Sequence, residues 1–382
     1  MDSAAPVNAA RKVLMVAPEV VPLVKVGGLA DVVGSLPGAL HGLGIEARVV
    51  CPLYGSVRPD ADWKAHEEPL IVYLGEGPMF CRVWETRLPG AGACRLYFLE
   101  HDQLFGRPEV YAGPWGDHAD NDRRFTFLSR AAIDLCRYLR WTPDIFHCHD
   151  WTTGLLPVYL NTTEAATAEG RAASVMTIHN LQFQGIFRRE TLNFAGLPDT
   201  VFRADGLESM GYLNMLKGGI YHASKVTTVS PHYAAEIQTP ALGCGLHHVL
   251  NFRAADLIGV LNGIDEGAWN PATDPKLPAN YHSRDLSGKA ACKEALQKRL
   301  LLDIEPGVPI FGAVGRLYSQ KGLDLLVDIL GQLANEMQIQ VVVLGSGDHE
   351  TEEGLNAAAR RFPGKVGVYI GYDDALAHLI YA

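Results

Sequence analysis

A lysine followed by paired glycines, Lys25-Val26-Gly27-Gly28-Leu29-Ala30-Asp31, stands between two differently patterned segments. Before it lies the apolar run Val13-Leu14-Met15-Val16-Ala17, which reads as a buried parallel strand. After it, Leu29, Val32, Val33, Leu36 and Leu40 are spaced for one helix face. A cation and two residues without side chains therefore fall where a strand hands over to a helix. Backbone N–H groups and partial positive charge gather at a helix start, and a phosphate suits that place. A structural reading stands beside this one: the glycines permit unusual backbone angles and the lysine is a solvated charge. The segment forms neither Gly-x-x-x-x-Gly-Lys-[Ser/Thr] nor Gly-x-Gly-x-x-Gly, which disfavours a P-loop and an ordinary dinucleotide site.

A second constellation closes the run Ile145–His149, where His147-Cys148-His149-Asp150-Trp151 follow one another. Side chains two apart on a strand share a face, so His147 and His149 point the same way. Three readings are open. The histidines with Asp150 and His179 could ligate a metal. Asp150, at the carboxyl end of a parallel strand, could accept hydrogen bonds from substrate hydroxyls. Or the histidines are satisfied in the core and Asp150 caps the following helix. The substrate reading is preferred for Asp150 and the structural one for His147. The next strand ends similarly in Thr177-Ile178-His179-Asn180, with Gln182, Gln184 and Gly185 beyond. Two successive parallel strands ending in polar residues point to one shared crevice.

Cations recur later in the chain. Gly312-Ala313-Val314-Gly315-Arg316-Leu317 closes a strand and leads into Ser319-Gln320-Lys321-Gly322. Arg316 forks onto two oxygens while Lys321 is a point charge, a pairing suited to a diphosphate. The alternative is a solvated basic loop with Ser319 as a cap. Leu344-Gly345-Ser346-Gly347-Asp348 is a candidate nucleotide-side turn. Asn262-Gly263 reads as a tight turn first and a ligand contact second.

The elements that must hold these residues alternate along the chain. Strands are expected at Val13–Ala17, Ala47–Cys51, Ile145–His149, Ser174–Ile178, Lys225–Val229, Leu257–Leu261, Pro309–Val314, Gln340–Leu344 and Val366–Ile370. Helical patterns such as Arg123–Leu139 and Gly322–Glu336 lie between them, which argues for doubly wound parallel α/β sheets. The stretch from Leu70 to Leu99 has little helix and reads as an antiparallel extension. A Pro-, Asp- and Asn-rich stretch from Trp269 to Leu286 marks a composition shift. The expected division is 1–250 and 251–382, with the second sheet opening at about Leu257. That second domain is expected to be incomplete, because the chain stops at Leu379-Ile380-Tyr381-Ala382 inside a helical pattern.

At 382 residues two domains are expected. Hydrophobic residues make up 48% and charged residues 20%, the balance of a globular protein. The net charge of −10, with no long basic run, disfavours nucleic acid or an anionic membrane as main partner. No apolar run approaches the roughly 20 residues of a membrane span. Met1 to Ala10 show neither a charged n-region nor an apolar h-region, so a cytoplasmic location is expected. The seven cysteines lack paired spacing and read as reduced and mostly buried, Cys148 among them. Oligomeric state is not legible.

Together, Lys25 through Gly34, His149-Asp150-Trp151, Thr177 through Leu181, Leu261 through Asp265, Gly315-Arg316-Leu317 and Gln320 through Asp324 closely resemble the bacterial glycogen synthases and plant starch synthases that use ADP-glucose. The resemblance runs from about Lys12 to the last residue. It implies the GT-B architecture, two Rossmann-like domains facing a cleft. It implies glucose transfer from ADP-glucose to the non-reducing end of an α-1,4-glucan such as glycogen, with retention, and no cofactor or metal beyond that donor. By this resemblance Asp150, His179, Arg316 and Lys321 carry the chemistry, Asp150 and His179 with Asn180 lining the sugar and acceptor side. Lys25, Gly27, Gly28, Asn180, Asn262, Gly263 and Gly315 contact the donor. The family's acidic residue followed by Pro-Cys-Gly-Leu does not occur after Gly322, so weak activity is expected of these 382 residues. The rival readings are another retaining GT-B transferase, a metal-dependent hydrolase built on His147, His149, Asp150 and His179, and a nucleotide- or glucan-binding chain without turnover.

Overall fold

The computed structural model describes residues 11–113 and 115–382. The expectation drawn from Met1–Ala10 lies outside them. One compact unit runs to Gly263 and a second from Ile264 to Ala382.

The first unit is built on a ten-stranded sheet. Its order is Leu257–Gly259, Lys225–Thr228, Ala173–Ile178, Ile145–His149, Lys12–Val16, Glu46–Pro52, Arg95–Glu100, Gly77–Arg87 and Lys64–Ala65. The strands from Leu257–Gly259 through Arg95–Glu100 are parallel. Gly77–Arg87 then turns antiparallel, with Lys64–Ala65 and Leu70–Leu74 paired to it, which is the expected antiparallel extension. Helices cover the parallel part, so its strands are apolar on both faces. Leu14, Met15 and Val16 are almost wholly buried.

The chain first winds outward from Lys12–Val16 to Glu46–Pro52, then returns to lay Ile145–His149 on the other side of the first strand. The sheet order reverses between these two strands. Their carboxyl ends therefore flank a topological switch point, where open α/β sheets bind ligands. The loop Glu19–Gly28 follows one strand and Asp150 follows the other.

In the second unit Ile310–Val314, Gln340–Gly345 and Val366–Ile370 form a parallel sheet in that order. Every residue of the central strand is buried. Val342 and Leu344 pack with Cys292, Leu296, Leu376 and Leu379, while Val341 and Val343 pack with Leu330, Ala334 and Leu355. The period-two alternation thus feeds separate cores on the two faces, as a doubly wound sheet requires.

One expectation about organisation is corrected. Leu257–Gly259 does not open the second sheet but pairs in parallel with Lys225–Thr228, as the edge of the first. The first unit accordingly extends past residue 250 to Gly263, and the second unit has three strands in its sheet rather than about four. The reason is register: Val226 lies opposite Leu257 and Thr228 opposite Gly259, a choice of partner that local composition does not encode.

Candidate functional site

The Lys25–Gly28 loop is shaped by a residue outside the motif. Glu19, only 2% exposed, directs its carboxylate into the loop. There it accepts the backbone N–H of Val26 at 2.5 Å and of Gly27 at 2.8 Å. The hydroxyl of Tyr111 donates to the other oxygen of Glu19 at 2.5 Å. Behind Tyr111, the Asn121 amide donates to the Tyr111 carbonyl at 2.8 Å, and the fully buried Arg124 donates to Val110 and Leu104. The N–H groups of Val26 and Gly27 thus already serve a carboxylate. Gly27 forms the N-cap of helix Gly28–Gly42 in extended conformation, and a Cβ on Gly28 would meet nothing within 4 Å. The ammonium of Lys25 lies 2.7 Å from Asp31 Oδ1, with the side chain 27% exposed. Any anion reaching this loop meets a cation already shared with a carboxylate.

The two neighbouring strand ends converge on Asp150. Its backbone has φ 56° and ψ −171°, a region that glycine occupies and other residues rarely enter. The resulting turn aims the carboxylate across the sheet rather than along the helix that follows. Its Oδ1 accepts the N–H of His179 at 2.7 Å and of Asn180 at 3.4 Å. It makes no side-chain cap to Trp151–Thr153, so the capping alternative does not hold. Asn180 Oδ1 in turn accepts the N–H of Gln182 at 3.0 Å, and Tyr233 accepts that of Leu181 at 3.1 Å. Trp151 packs edge-on to Phe125 at 4.8 Å. Its ring also fills the space where a side chain on Gly185 (φ 63°) would sit, 2.3 Å from the tryptophan. This explains a glycine there twice over.

Three histidines lie beneath this turn. His147 and His149 share a face, as their spacing requires, with ring centroids 4.2 Å apart. His147 Nε2 is 2.7 Å from Thr177 Oγ1, and His149 Nδ1 is 3.0 Å from His179 Nε2. Burial disfavours the charged ring, holding His147 and His179 down to about 4 and His149 well below its usual value. The facing nitrogens of these rings are taken up by one another and by threonine. Among the described residues no group of three or more His, Cys, Asp or Glu side chains could hold a metal. Cys148 is buried and its thiol pushed up by desolvation, a packing residue.

In the second unit, Gly315 closes the strand Ile310–Val314 and Ser319–Lys321 forms one short 3-10 turn. Gly322, left-handed at φ 71°, then starts helix Leu323–Glu336; no side chain caps it, which corrects the capping role for Ser319. Arg316 lies 5.7 Å over the Tyr318 ring, and neither Arg316 nor Lys321 forms a salt bridge among the described residues. The turn at Ser346–Asp348 is tied to the same strand end, since Leu317 donates to Ser346 and Asp348 to Leu317. Glu352 takes the N–H of Gly347 at 2.7 Å. Asn262 and Gly263 are exposed in an irregular connection after the last strand of the first unit, not in the expected tight turn.

The first unit therefore brings Asp150, His179 and Asn180 into direct contact, Asp150 after the strand next to the one feeding Lys25, Gly27 and Gly28, and His179 and Asn180 one strand further out. Gly315, Arg316 and Lys321 gather at a strand end of the second. Glu19 and Tyr111 escaped sequence reasoning, as did the direct hydrogen bond between His149 and His179. Glu19 carried a signal, being an acidic residue three positions beyond a buried strand.

Two α/β units with polar and cationic residues at the carboxyl ends of parallel strands fit the GT-B type of fold. The catalytic domain of starch synthase IV from Arabidopsis thaliana, solved bound to ADP and acarbose, is similar over 98% of this chain and 76% of that one, with TM-score 0.90 and 34% identity. Glycogen synthase 1 of Geobacter sulfurreducens is 45% identical over 97% of this chain and 74% of its own length. For the glycogen synthase of Anaeromyxobacter sp. the values are 45%, 97% and 77%. Residues 12–252 match the starch synthase catalytic domain. The chain belongs to that family, and it is a glycosyltransferase.

Proposed function

We propose that the chain transfers glucose from ADP-glucose to the non-reducing end of an α-1,4-glucan, with retention, as a glycogen synthase working in the cytoplasm. The observation that carries this reading is the strained Asp150 turn, which holds the His179–Asn180 backbone at a topological switch point. There the carboxylate and the two polar side chains line the sugar and acceptor. Lys25 and the glycines after it approach the donor phosphates. Among the described residues no helix is long and apolar enough to cross a membrane.

The chemistry follows from charge. Breaking the glycosyl–phosphate bond leaves growing negative charge on the diphosphate and an oxocarbenium-like sugar. Arg316 and Lys321, lacking carboxylate partners, are free to stabilise that leaving charge, a contribution of about 3–4 kcal/mol per well-placed donor. Transfer of radiolabelled glucose from ADP-glucose into glycogen by the purified chain, run beside UDP-glucose, tests the reading. Incorporation from ADP-glucose is expected; incorporation only from UDP-glucose, or none from either, would reject it.

A further inference from the structure

His149 is wholly buried, yet one of its ring nitrogens, Nε2, has no hydrogen-bond partner among the described residues. The other, Nδ1, lies 3.0 Å from Nε2 of His179. Both rings are neutral at neutral pH, so a single proton lies between the two facing nitrogens, and the orphaned atom decides on which. If His179 donated, the one N–H of His149 would sit on Nε2, buried and unpaired. If His149 donates from Nδ1, only a lone pair is left there, and orphaned buried N–H groups are the rarer of the two. The neighbouring His147 supplies no alternative, because its Nε2 is engaged with Thr177 Oγ1, itself 2.7 Å from Thr227 Oγ1.

We propose that His149 is a positioning residue that sets the tautomer of His179: His149 donates from Nδ1, and His179 carries its own proton on Nδ1 as a hydrogen-bond donor to a substrate oxygen. His179 then acts neither as a base toward that oxygen nor as a cation. Asp150 fixes the backbone of His179 through its N–H, and His149 fixes the ring, so both position and proton are set from the protein side. The last step rests on the reading of His179 as a substrate-facing residue.

The test is a two-bond 1H–15N correlation spectrum of the full chain labelled at histidine, with His179 assigned from the spectrum of His179→Gln. The Nδ1–H pattern is expected for His179; an Nε2–H pattern overturns the proposal. In His149→Phe, which keeps a ring but no nitrogen, His179 is expected to move toward the Nε2–H form. There kcat falls about tenfold while KM for ADP-glucose holds within about twofold. His149→Asn, which keeps an N–H where Nδ1 stood, is expected to retain both tautomer and rate. An unchanged His179 spectrum in His149→Phe, or equal losses in both variants, shows a merely structural histidine. Undiminished glucose transfer by His179→Gln would instead reject the substrate role of His179, a failure separable from the spectrum.

Discussion

The carboxylate of Glu19 accepts the backbone N–H of Gly27 at 2.8 Å, and so holds the strand-to-helix turn in place from the inside. The lysine–glycine loop is thereby ordered by a charge within its own unit. Replacing Glu19 with Ala leaves the N–H groups of Val26 and Gly27, and the Tyr111 hydroxyl, without that partner. We expect a loss of about 1–3 kcal/mol in unfolding free energy and a rise in KM for ADP-glucose. Urea titration with initial-rate kinetics checks both, and an unchanged KM would show the loop to be remote from the donor.

Arg316 and Lys321 should separate catalysis from stability. Neither forms a salt bridge among the described residues, and Arg316→Ala gives up only a contact over the exposed Tyr318 ring. Arg316→Ala and Lys321→Ala are each expected to lower kcat by about 100-fold or more while the melting temperature stays put. Arg316→Lys should not rescue, since a point charge does not replace a fork. Wild-type rates in either alanine variant would remove that residue from the leaving-group role.

The buried histidines make stability depend on pH in a definite direction. Unfolded histidine titrates near 6.5, whereas His147 and His179 in the fold titrate at about 4, chiefly because burial disfavours the charge. Between these values the unfolded chain binds more protons. Their contribution is therefore fully present above about pH 6.5 and is lost as pH falls toward 4, on the order of 1 kcal/mol per pH unit for each ring. Urea midpoints across that window should fall with acid, and His147→Gln should flatten the slope. An identical slope in the variant would contradict the assignment.

An ion-pair network stiffens the helix Asn121–Tyr138. Arg130 contacts Asp134 at 3.0 Å and Glu164 at 2.5 Å, with all three side chains less than a tenth exposed. Arg137 joins the same carboxylates and Glu169. Glu164→Ala takes one of two carboxylates from the buried Arg130, which keeps Asp134, and is expected to cost about 1.5–3 kcal/mol. Breaking the exposed pair Glu294–Lys298 should cost at most about 0.5 kcal/mol. Chemical denaturation distinguishes the two, and comparable small losses would mean that water reaches Arg130.

What the amino-acid sequence determined by itself is local in origin. Apolar runs buried on both faces announce parallel strands, and the strand bounds at Ile145–His149 and Val366–Ile370 agree with the structure residue for residue. Polar residues that interrupt those runs must sit at strand ends, so Asp150, His179, Asn180, Gly315 and Arg316 were legible as candidates. Tertiary structure decided everything that depends on which strand lies beside which. It assigned Leu257–Gly259 to the first sheet, because hydrogen-bond register is a pairwise property absent from either segment alone. It made Asp150 a clamp on the next strand, because only the assembled sheet sustains its positive-φ backbone. It also set Glu19 beneath Gly27 and His149 against His179, contacts made where the chain returns to itself and where no periodicity points.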